Sequence, residues 1–355
     1  ALVALIIYGF PSRKLIVIGV TGTDGKTTTV SLVYHVLKTA GFKASMISSI
    51  GAFIGGKEYD VGFHVTTPSP FTLQVFIKKA VDVNSKYLVL EVTSHALDQN
   101  RVWGINFELG VVTNVTREHL DYHKTYENYV KTKAKLLQIA KIAVLNKDDK
   151  SFGVISNFKF QISNLVTYGL KRSADVNPYI FPFKTNLLGE FNVYNCLAAI
   201  AVCQALGIND SVIRKGISTF KLPIGRAEVV YQKDFTVMID FAHTPNALEQ
   251  ILKTVKPQIK GRLIHVFGSA GKRDHQKRPL MGKASAKYAD VIILTAEDSR
   301  SESVDGIIDE ISAGIENLKL LKIPDRQNAI TTAIKMAERG DLVLITGKGH
   351  EKSMN

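Results

Sequence analysis

Residues 15–39 read LIVIGVTGTDGKTTTVSLVYHVLKT and carry the clearest fold signal in the sequence. It opens with a short β-branched apolar run, Leu15–Val20, passes through a glycine-rich turn and ends in the helical pattern Thr28–Thr39. A strand, a glycine-rich loop and a helix in this order are the context of a phosphate-binding loop. The strict Walker pattern has a glycine where Val20 stands here. The stretch therefore predicts an anion-binding loop that matches the Walker pattern imperfectly.

The loop carries the residue types that nucleotide phosphates need. Glycines let the backbone wrap an anion, while successive amide groups and the helix N-terminus direct positive charge at it. Lys26 would neutralise the β- and γ-phosphates, and the Thr27 hydroxyl would reach a Mg²⁺ ion. The simpler interpretation is a glycine-rich turn in front of an ordinary helix. The residues predicted to bind ATP here are Gly22, Thr23, Asp24, Gly25, Lys26, Thr27 and Thr28.

The same pattern continues outward from the loop. Strand-like runs alternate with helical patterns, which favours an α/β architecture with mainly parallel sheets. The later strand-like runs are residues 87–92, 109–113, 142–146, 235–240, 262–267, 291–295 and 342–346. Pro223 and Gly225 interrupt the periodicity, and a new series of strands and helices follows them. We expect a P-loop ATPase-like domain at 15–222 and a smaller Rossmann-like α/β domain at 223–355.

Composition limits the functional classes. The 355 residues suggest two domains, and 45% hydrophobic with 22% charged residues excludes disorder of the whole chain. The sequence has no apolar run long enough for a transmembrane helix, and residues 1–10 lack the charge and cleavage site of a signal peptide. Cys196 and Cys203 are expected to be reduced core residues of a cytosolic protein. The net charge of +13 permits nucleic acid, a membrane surface or an anionic small substrate as partner.

Three further stretches carry a specific resemblance. They are EVTSHALDQNR from Glu91, EHLDYH from Glu118 and DFAHTPNALE from Asp240. Together with the loop at 21–28 they resemble the motifs of the Mur ligase family. Within it they are similar to the MurE type, which joins an amino acid to UDP-N-acetylmuramoyl-dipeptide in peptidoglycan synthesis. Supporting stretches follow in family order as far as GKGHE at 347–351, so the resemblance covers nearly the whole chain.

The resemblance implies an ATP-dependent ligase that works through an acyl phosphate. ATP would phosphorylate an acceptor carboxylate, and an incoming amine would then displace the phosphate. Because both reacting groups are anionic, Mg²⁺ and cationic side chains must screen their repulsion. Thr27 and Glu91 match the ligands of a first Mg²⁺. His119 and Lys133, the latter carbamylated with CO₂, match those of a second. Lys26, His119 and Lys133 are the implied catalytic residues.

The choice of Lys133 depends on its spacing from His119. It lies 14 residues further on, as the carbamylated lysine of the family does. Carbamylation converts a cation into an anion that binds the metal or orients the phosphate. Seven lysines fall within residues 124–150, however, and most such lysines form a solvated helix face. Lys131 and Lys135, two residues to either side, are the alternatives.

Further site residues follow from the same resemblance. The hinge of the family, Pro-Gly-Arg, reads Pro223-Ile-Gly-Arg226 here, with one inserted residue. The implied acceptor contacts are Thr66, Thr67, Thr93, Gln99 and Arg101. The implied ATP contacts beyond the loop are Asn192, Asn195, Arg226, Asp240 and His243. For the two asparagines, the alternative is helix capping and polar packing.

The amino-acid pocket departs from the family motif. Members that add meso-diaminopimelate carry Asp-Asn-Pro-Arg, whose arginine pairs with the distal carboxylate of that substrate. Here the stretch reads Glu297-Asp-Ser-Arg300. Arg300 favours diaminopimelate over L-lysine, whereas Asp298 would repel the carboxylate unless Arg300 screens it. The alternative is an ordinary ion pair between Asp298 and Arg300. The implied amino-acid contacts are Arg273, Asp298, Arg300, Gly347 and Glu351.

Other departures leave alternatives open. Residues 1–14 resemble the linker that follows a UDP-binding first domain, and the chain stops soon after residue 351, so we expect the last two of three domains, with the final one truncated. A Mur-related ligase with a non-UDP acceptor, similar to folylpolyglutamate synthase, is the first alternative. A basic nucleic-acid-binding ATPase is the second, although the sequence lacks a recognition motif for it. We expect a cytoplasmic monomer without nucleic-acid or membrane partners.

Overall fold

The chain forms two compact units. The structure, a computed structural model, describes residues 1–62, 65–158, 164–316 and 319–351. The first unit comprises Ala1–Thr116 and Thr125–Lys221, and the second comprises Arg117–Lys124 and the chain from Leu222 onward. The sequence predicts three contiguous segments, 1–14, 15–222 and 223–355. These boundaries stay a prediction, because a compact unit can contain separate parts of the chain.

One mainly parallel sheet forms the centre of the first unit. Its strands are β1 (Ile16–Thr21), β2 (Ala44–Ser48), β3 (Gly51–Ile54), β4 (Lys57–Tyr59), β5 (Tyr87–Glu91), β6 (Phe107–Val112), β7 (Ala140–Asn146) and β8 (Leu165–Tyr168). Their spatial order is β4-β3-β2-β5-β1-β6-β7-β8. Strands β3 and β4 are antiparallel additions at one edge, whereas the pairs from β2 to β8 are parallel. Strand β1 therefore lies between β5 and β6, and all three end at the same edge of the sheet.

Helices of the first unit pack against this sheet and against each other. They are α1 (Leu2–Tyr8), α2 (Lys26–Thr39), α3 (Pro70–Asp82), α4 (Ser94–Asp98), α6 (Tyr126–Ile139), α7 (Ser151–Asn157), α8 (Glu190–Ala205) and α9 (Asp210–Thr219). Strand β1 is almost entirely buried, which explains its continuous apolar run. A Cβ at Gly19 would lie 2.7 Å from the Phe107 ring and 2.9 Å from Leu136 of α6. Glycine at this position thus lets α6 pack closely over β1.

A second mainly parallel sheet forms the centre of the second unit. Its strands are β9 (Glu228–Gln232), β10 (Thr236–Asp240), β11 (Leu263–Phe267), β12 (Val291–Leu294), β13 (Lys319–Lys322) and β14 (Leu342–Thr346). The helices are α5 (Leu120–His123), α10 (Pro245–Val255), α11 (Lys277–Ala286), α12 (Val304–Ser312) and α13 (Arg326–Met336). The order is β13-β12-β11-β14-β10-β9, and β9 alone among these six is antiparallel. Loops after β10, β11, β12 and β14 therefore emerge at one edge, where open α/β sheets bind ligands.

The α/β fold class predicted from the sequence is confirmed, with a larger and a smaller parallel sheet. Cys196 and Cys203 are free and buried in α8, as predicted. Within the described ranges, no helix combines the length and apolar character needed to span a bilayer.

Candidate active site

The predicted phosphate loop joins β1 to α2 in the first unit. A Cβ at Gly25, which has a φ of 80°, would collide with Oδ1 of Asn195. A Cβ at Gly22 would likewise collide with Oγ1 of Thr113. Both glycines are therefore required by close packing around the loop, and not only by the turn itself. Helix α2 begins at Lys26, so its N-terminal amides face the loop. Thr27 and Thr28 lie in the first turn of this helix.

Two residues at the end of β6 hold the loop in shape. Asn114 Oδ1 accepts a hydrogen bond from the Asp24 backbone N–H at 3.0 Å. The Asp24 carbonyl accepts from Thr113 Oγ1 at 2.7 Å and from Asn114 Nδ2 at 3.1 Å. The sequence analysis missed both residues, although their position directly after a buried strand was the available signal. Lys26 Nζ donates to the Thr23 carbonyl at 2.8 Å, so the ammonium group lies within the loop.

Thr27 and Glu91 meet at the carboxyl ends of β1 and β5. Thr27 Oγ1 donates to the Glu91 carboxylate, at 3.2 Å to Oε1 and 3.0 Å to Oε2. Ser49, which the sequence analysis missed, donates its backbone N–H to Glu91 Oε2 at 3.1 Å and lies 3.0 Å from Thr27 through its hydroxyl. Glu91 is only 2% exposed, and these hydrogen bonds satisfy its buried carboxylate oxygens.

This group of oxygen atoms fits Mg²⁺. A hydroxyl and a carboxylate are hard oxygen ligands, and Mg²⁺ in nucleotide sites takes one or two carboxylates with substrate phosphates and water. A three-residue cluster of His, Cys, Asp or Glu suited to a metal is absent from the part of the chain that the structure describes.

The predicted acceptor contacts adjoin this edge. Thr67 Oγ1 donates to the Glu91 carbonyl at 3.0 Å and accepts from the Thr93 backbone N–H at 3.0 Å. Arg101 donates to the Thr67 carbonyl at 2.9 Å, and its Nε and Nη2 donate to Gln99 Oε1 at 2.9 and 2.6 Å. Thr93 also caps α4. Thr66 precedes Thr67 in the same loop, so the structure brings the five residues together at the end of β5.

Lys133 is the buried lysine of α6. Its side chain donates to the Gly22 carbonyl at 2.7 Å, and Nζ lies 4.5 Å from the centre of the Tyr129 ring. Lys133 is 1% exposed, whereas Lys131 is exposed and Lys135 forms an ion pair with Asp98 at 3.3 Å. Burial next to the phosphate loop therefore separates Lys133 from the two alternatives.

Asn192 and Asn195 lie on the buried face of α8. Asn195 accepts from Thr29 Oγ1 at 3.4 Å and donates to Asn192 Oδ1 at 3.1 Å. Asn192 in turn donates to the Leu188 carbonyl at 2.8 Å. Asn195 therefore packs directly behind Gly25, so the polar packing of this asparagine occurs next to the predicted phosphate loop.

The remaining nine of the 25 predicted site residues belong to the second unit. His119 has a φ of 56° and precedes α5. Its neighbour Glu118 accepts from Lys277 Nζ at 3.0 Å, with both side chains no more than 5% exposed. The sequence analysis gave neither Glu118 nor Lys277 a role, because their sequence separation conceals the pairing. Thr27, Glu91 and Lys133 belong to the first unit.

Arg226, Asp240 and His243 surround the end of β10. Asp240 accepts from the backbone N–H of Ala227 at 2.7 Å and of Ala242 at 2.8 Å. The Arg226 guanidinium stacks 4.3 Å from the centre of the Phe241 ring, which meets the His243 ring edge-on at 4.8 Å. Asp240 thus stabilises the turn that carries the Arg226 guanidinium and the rings of Phe241 and His243.

The predicted amino-acid contacts lie in three neighbouring loops. Arg273 follows β11, Asp298 and Arg300 follow β12, and Gly347 and Glu351 follow β14. A hydrogen bond of 2.7 Å from the Gly271 N–H to the Asp298 carbonyl joins the first two loops. Lys348 donates to Asp298 Oδ1 at 2.6 Å. The sequence analysis paired Asp298 with no residue other than Arg300, so Lys348 is a partner that it missed.

Glu297 is a further buried residue at this edge to which the sequence pattern assigned no role. It is 7% exposed, and a Cβ on Gly347 would lie 2.9 Å from its Oε2. Burial raises the pKa of Glu297 to about 7, against the opposing effect of Lys277, Arg326 and Lys348. A carboxyl group with a pKa near neutrality in a ligand-binding edge is a frequent mark of a functional site.

Two family models match this sequence. The Mur ligase middle domain matches residues 20–203, and the Mur ligase glutamate ligase domain matches residues 225–349. The chain belongs to the Mur ligase family. The family predicted from the motifs is thereby confirmed.

Relatives of this Mur ligase include named diaminopimelate ligases. The UDP-N-acetylmuramoyl-L-alanyl-D-glutamate–2,6-diaminopimelate ligase of Aquifex aeolicus is 42% identical over 97% of this chain and 74% of its own length. The ligase of the same name from Geobacillus thermodenitrificans is 39% identical over 99% of this chain and 77% of its own length.

Solved structures of Mur ligases and folylpolyglutamate synthases share the fold. A ligase structure of the same name has 31% identity and a TM-score of 0.63, covering 96% of this chain and 74% of that one. Mycobacterium tuberculosis folylpolyglutamate synthase has a TM-score of 0.76 at 17% identity, covering 97% and 91%. At that identity the second likeness concerns the fold alone.

Proposed function

We propose that this Mur ligase uses ATP to join meso-diaminopimelate to a UDP-N-acetylmuramoyl-dipeptide through an acyl phosphate. The observation that carries the proposal is the 42% identity, over 97% of the chain, to a ligase named for this substrate pair. The geometry of the first unit supports the ATP-dependent half of the reaction, because the loop and the Thr27–Glu91 pair meet at one edge of the sheet.

Phosphoryl transfer is assigned to the loop and its neighbours. Residues 22–28 would hold the ATP phosphates through backbone amides, and Lys26 would exchange the Thr23 carbonyl for phosphate oxygens. Thr27 and Glu91 would hold Mg²⁺, which supplies charge neutralisation on the phosphates when bound. We assign Asn192, Asn195, Arg226, Asp240 and His243 to ATP as well, as the resemblance implies.

Lys133 is proposed to act as a carbamate, with His119 at a second Mg²⁺ site. A neutral Lys133 amine would attack CO₂ and release a proton, which replaces the buried cation with an anion. The support is the location of Nζ, which is buried and hydrogen-bonded to the loop carbonyl of Gly22. An anion there would orient the phosphate or help to hold the metal.

Binding of the two remaining substrates is assigned by the same reasoning. The acceptor peptide would contact Thr66, Thr67, Thr93, Gln99 and Arg101. The amino acid would contact Arg273, Asp298, Arg300, Gly347 and Glu351. Arg273 and Arg300 suit carboxylates, and Glu351 suits an ammonium group, as a zwitterionic end requires. The protein is also proposed to be a cytoplasmic monomer. Its two free buried thiols agree with a reducing compartment.

Phosphate release from ATP tests the proposed function. We expect release to require both UDP-N-acetylmuramoyl-dipeptide and an amino acid, with meso-diaminopimelate more effective than L-lysine. Release with a folate and glutamate, and none with the muramoyl acceptor, would support the folylpolyglutamate-synthase-like alternative. Salt-dependent nucleic-acid binding without any ligation would support the ATPase alternative.

A further inference from the structure

Asp298 and Lys348 form a partly buried ion pair at the ligand edge of the second unit. Lys348 Nζ lies 2.6 Å from Asp298 Oδ1, and each side chain is 12% exposed. The two residues follow β12 and β14, which flank β11 on either side in the sheet. The pair therefore bridges the two loops that carry four of the five predicted amino-acid contacts.

The pair is held in a fixed place. The Gly271 N–H donates to the Asp298 carbonyl, which ties Asp298 to the loop of Arg273. A Cβ at Gly271 would collide with the Ser299 carbonyl, so the two loops pack without space between them. On the other loop, the Gly349 N–H donates to Glu351 Oε2 at 3.0 Å. Rigid loops keep the separation of these charges constant, which makes their balance a property of the site.

A carboxylate at position 298 would repel the distal carboxylate of diaminopimelate, the substrate that Arg300 favours. A carboxylate a few ångströms from another carboxylate in a partly buried site lowers its affinity by about tenfold or more. A lysine substrate carries no second carboxylate and would instead be attracted by the acid. Asp298 by itself would therefore shift the preference of the site from diaminopimelate towards L-lysine.

We propose that Lys348 is a specificity-determining residue, because its pairing with Asp298 cancels the added acid and leaves Arg273 and Arg300 available to carboxylates. This inference rests on the proposed function and names the residue that preserves the preference for a substrate with two carboxylates. Asp298 stands where the family motif has a neutral asparagine, and Lys348 opposes the charge that this acid adds.

Four variants test the inference through steady-state kinetics and isothermal titration. Lys348→Met is expected to raise the KM and Kd for meso-diaminopimelate by about tenfold, while those for L-lysine stay the same or fall. Asp298→Asn in the Lys348→Met background should restore both diaminopimelate values to within about twofold of the parent chain. Asp298→Asn alone should keep or strengthen the preference, since Lys348 then adds an attractive charge. Lys322→Met is the matched control, as its ion pair with Asp309 is on the surface of the same unit.

The outcomes separate the inference from the proposed function. An unchanged ratio of diaminopimelate to lysine affinity in Lys348→Met overturns the inference, as does failure of Asp298→Asn to restore it. If Lys348→Met does not fold, a weakened diaminopimelate preference in Asp298→Asn overturns it. If the parent chain ligates no amino acid, the proposed function fails, while the titrations still measure the ratio of the two affinities. Effects on ATP binding alone would place Lys348 at the nucleotide and also overturn the inference.

Discussion

The side chain of Lys133 points from α6 into the phosphate loop, although a lysine on a helix usually reaches solvent. A buried ammonium group needs a compensating partner, and here it has a carbonyl oxygen and the face of Tyr129. Its burial against the phosphate loop is the observation behind the proposed carbamate.

Lys133→Ala is expected to abolish ligation, because the anion that would orient the phosphate or bind the metal is lost. Bicarbonate with a short carboxylate such as acetate should restore part of the activity by filling the space with an anion. Phosphate release in the presence of both substrates measures this, with the exposed Lys131→Ala as control. Loss of activity without any restoration would remove the carbamate and leave the ligase proposal unchanged.

Glu297 makes stability depend on pH. Burial raises its pKa from 4.5 to about 7, so the folded chain retains a proton that the unfolded chain has released. The free energy of unfolding therefore falls as pH rises from about 4.5 to about 7, by about 3 kcal/mol from this group. The Glu297→Gln variant has no carboxyl group at this position, so its free energy of unfolding does not fall in this way. The free energy of unfolding of Glu297→Gln minus that of the parent should therefore rise by about 3 kcal/mol between pH 4.5 and pH 8.

Urea unfolding at several pH values measures the effect of Glu297→Gln. The surface substitution Asp309→Asn, in the same unit, is the control and should show no such trend. A stability difference between Glu297→Gln and the parent that stays constant with pH would mean that Glu297 keeps its charge in the folded state.

At the level of elements, most buried strands were predictable, although β2 and β3 were missed, and no edge strand was predicted. All eight strand-like runs of the sequence correspond to strands, with ends shifted by up to two residues. The strands that went unpredicted include the edge strands β4, β8, β9 and β13. β9 and β13 are largely exposed, so they lack the continuous apolar run that marks a strand buried on both faces.

The packing of α8 against the phosphate loop gives an element-level prediction. Gly25→Ala adds a Cβ that collides with Asn195 Oδ1 and places alanine at a φ of 80°. We expect a loss of stability of about 2 kcal/mol or more, of which about 1 kcal/mol is backbone strain. Asn195→Ala removes the collision but not the strain, so the double variant should be more stable than the sum of the single effects predicts.

A double-mutant cycle in urea measures this coupling between α8 and the loop. We expect a coupling energy of about 1 kcal/mol or more between positions 25 and 195. Gly207→Ala serves as control, because it has a similar φ of 72° and nothing within 4 Å of its Cβ. Additive effects at 25 and 195 would show that the loop moves away from α8 without cost.

At the level of the whole molecule, sequence spacing identified residues but not the unit that holds them. The motif EHLDYH lies between β6 and α6 in sequence, which places it in the first domain by order alone. The structure assigns Arg117–Lys124 to the second unit. Within that unit, Glu118 and Lys277 form a buried ion pair across 159 residues of sequence. Such a pairing has no local pattern, so no periodicity could have revealed it.

This ion pair makes the last prediction. Lys277→Met leaves the Glu118 carboxylate buried without its cation, which should destabilise the second unit by about 3–5 kcal/mol. Glu118→Gln added to Lys277→Met removes the unpaired charge and should recover part of that loss. Because α5 is only four residues long, its amides depend on this anchor. Hydrogen exchange at His123 and Lys124 should therefore accelerate in Lys277→Met, and less so in the double variant, whereas Lys322→Met should leave it unchanged. Equal exchange rates in all three variants would show that other contacts hold His119 and its neighbours in the second unit.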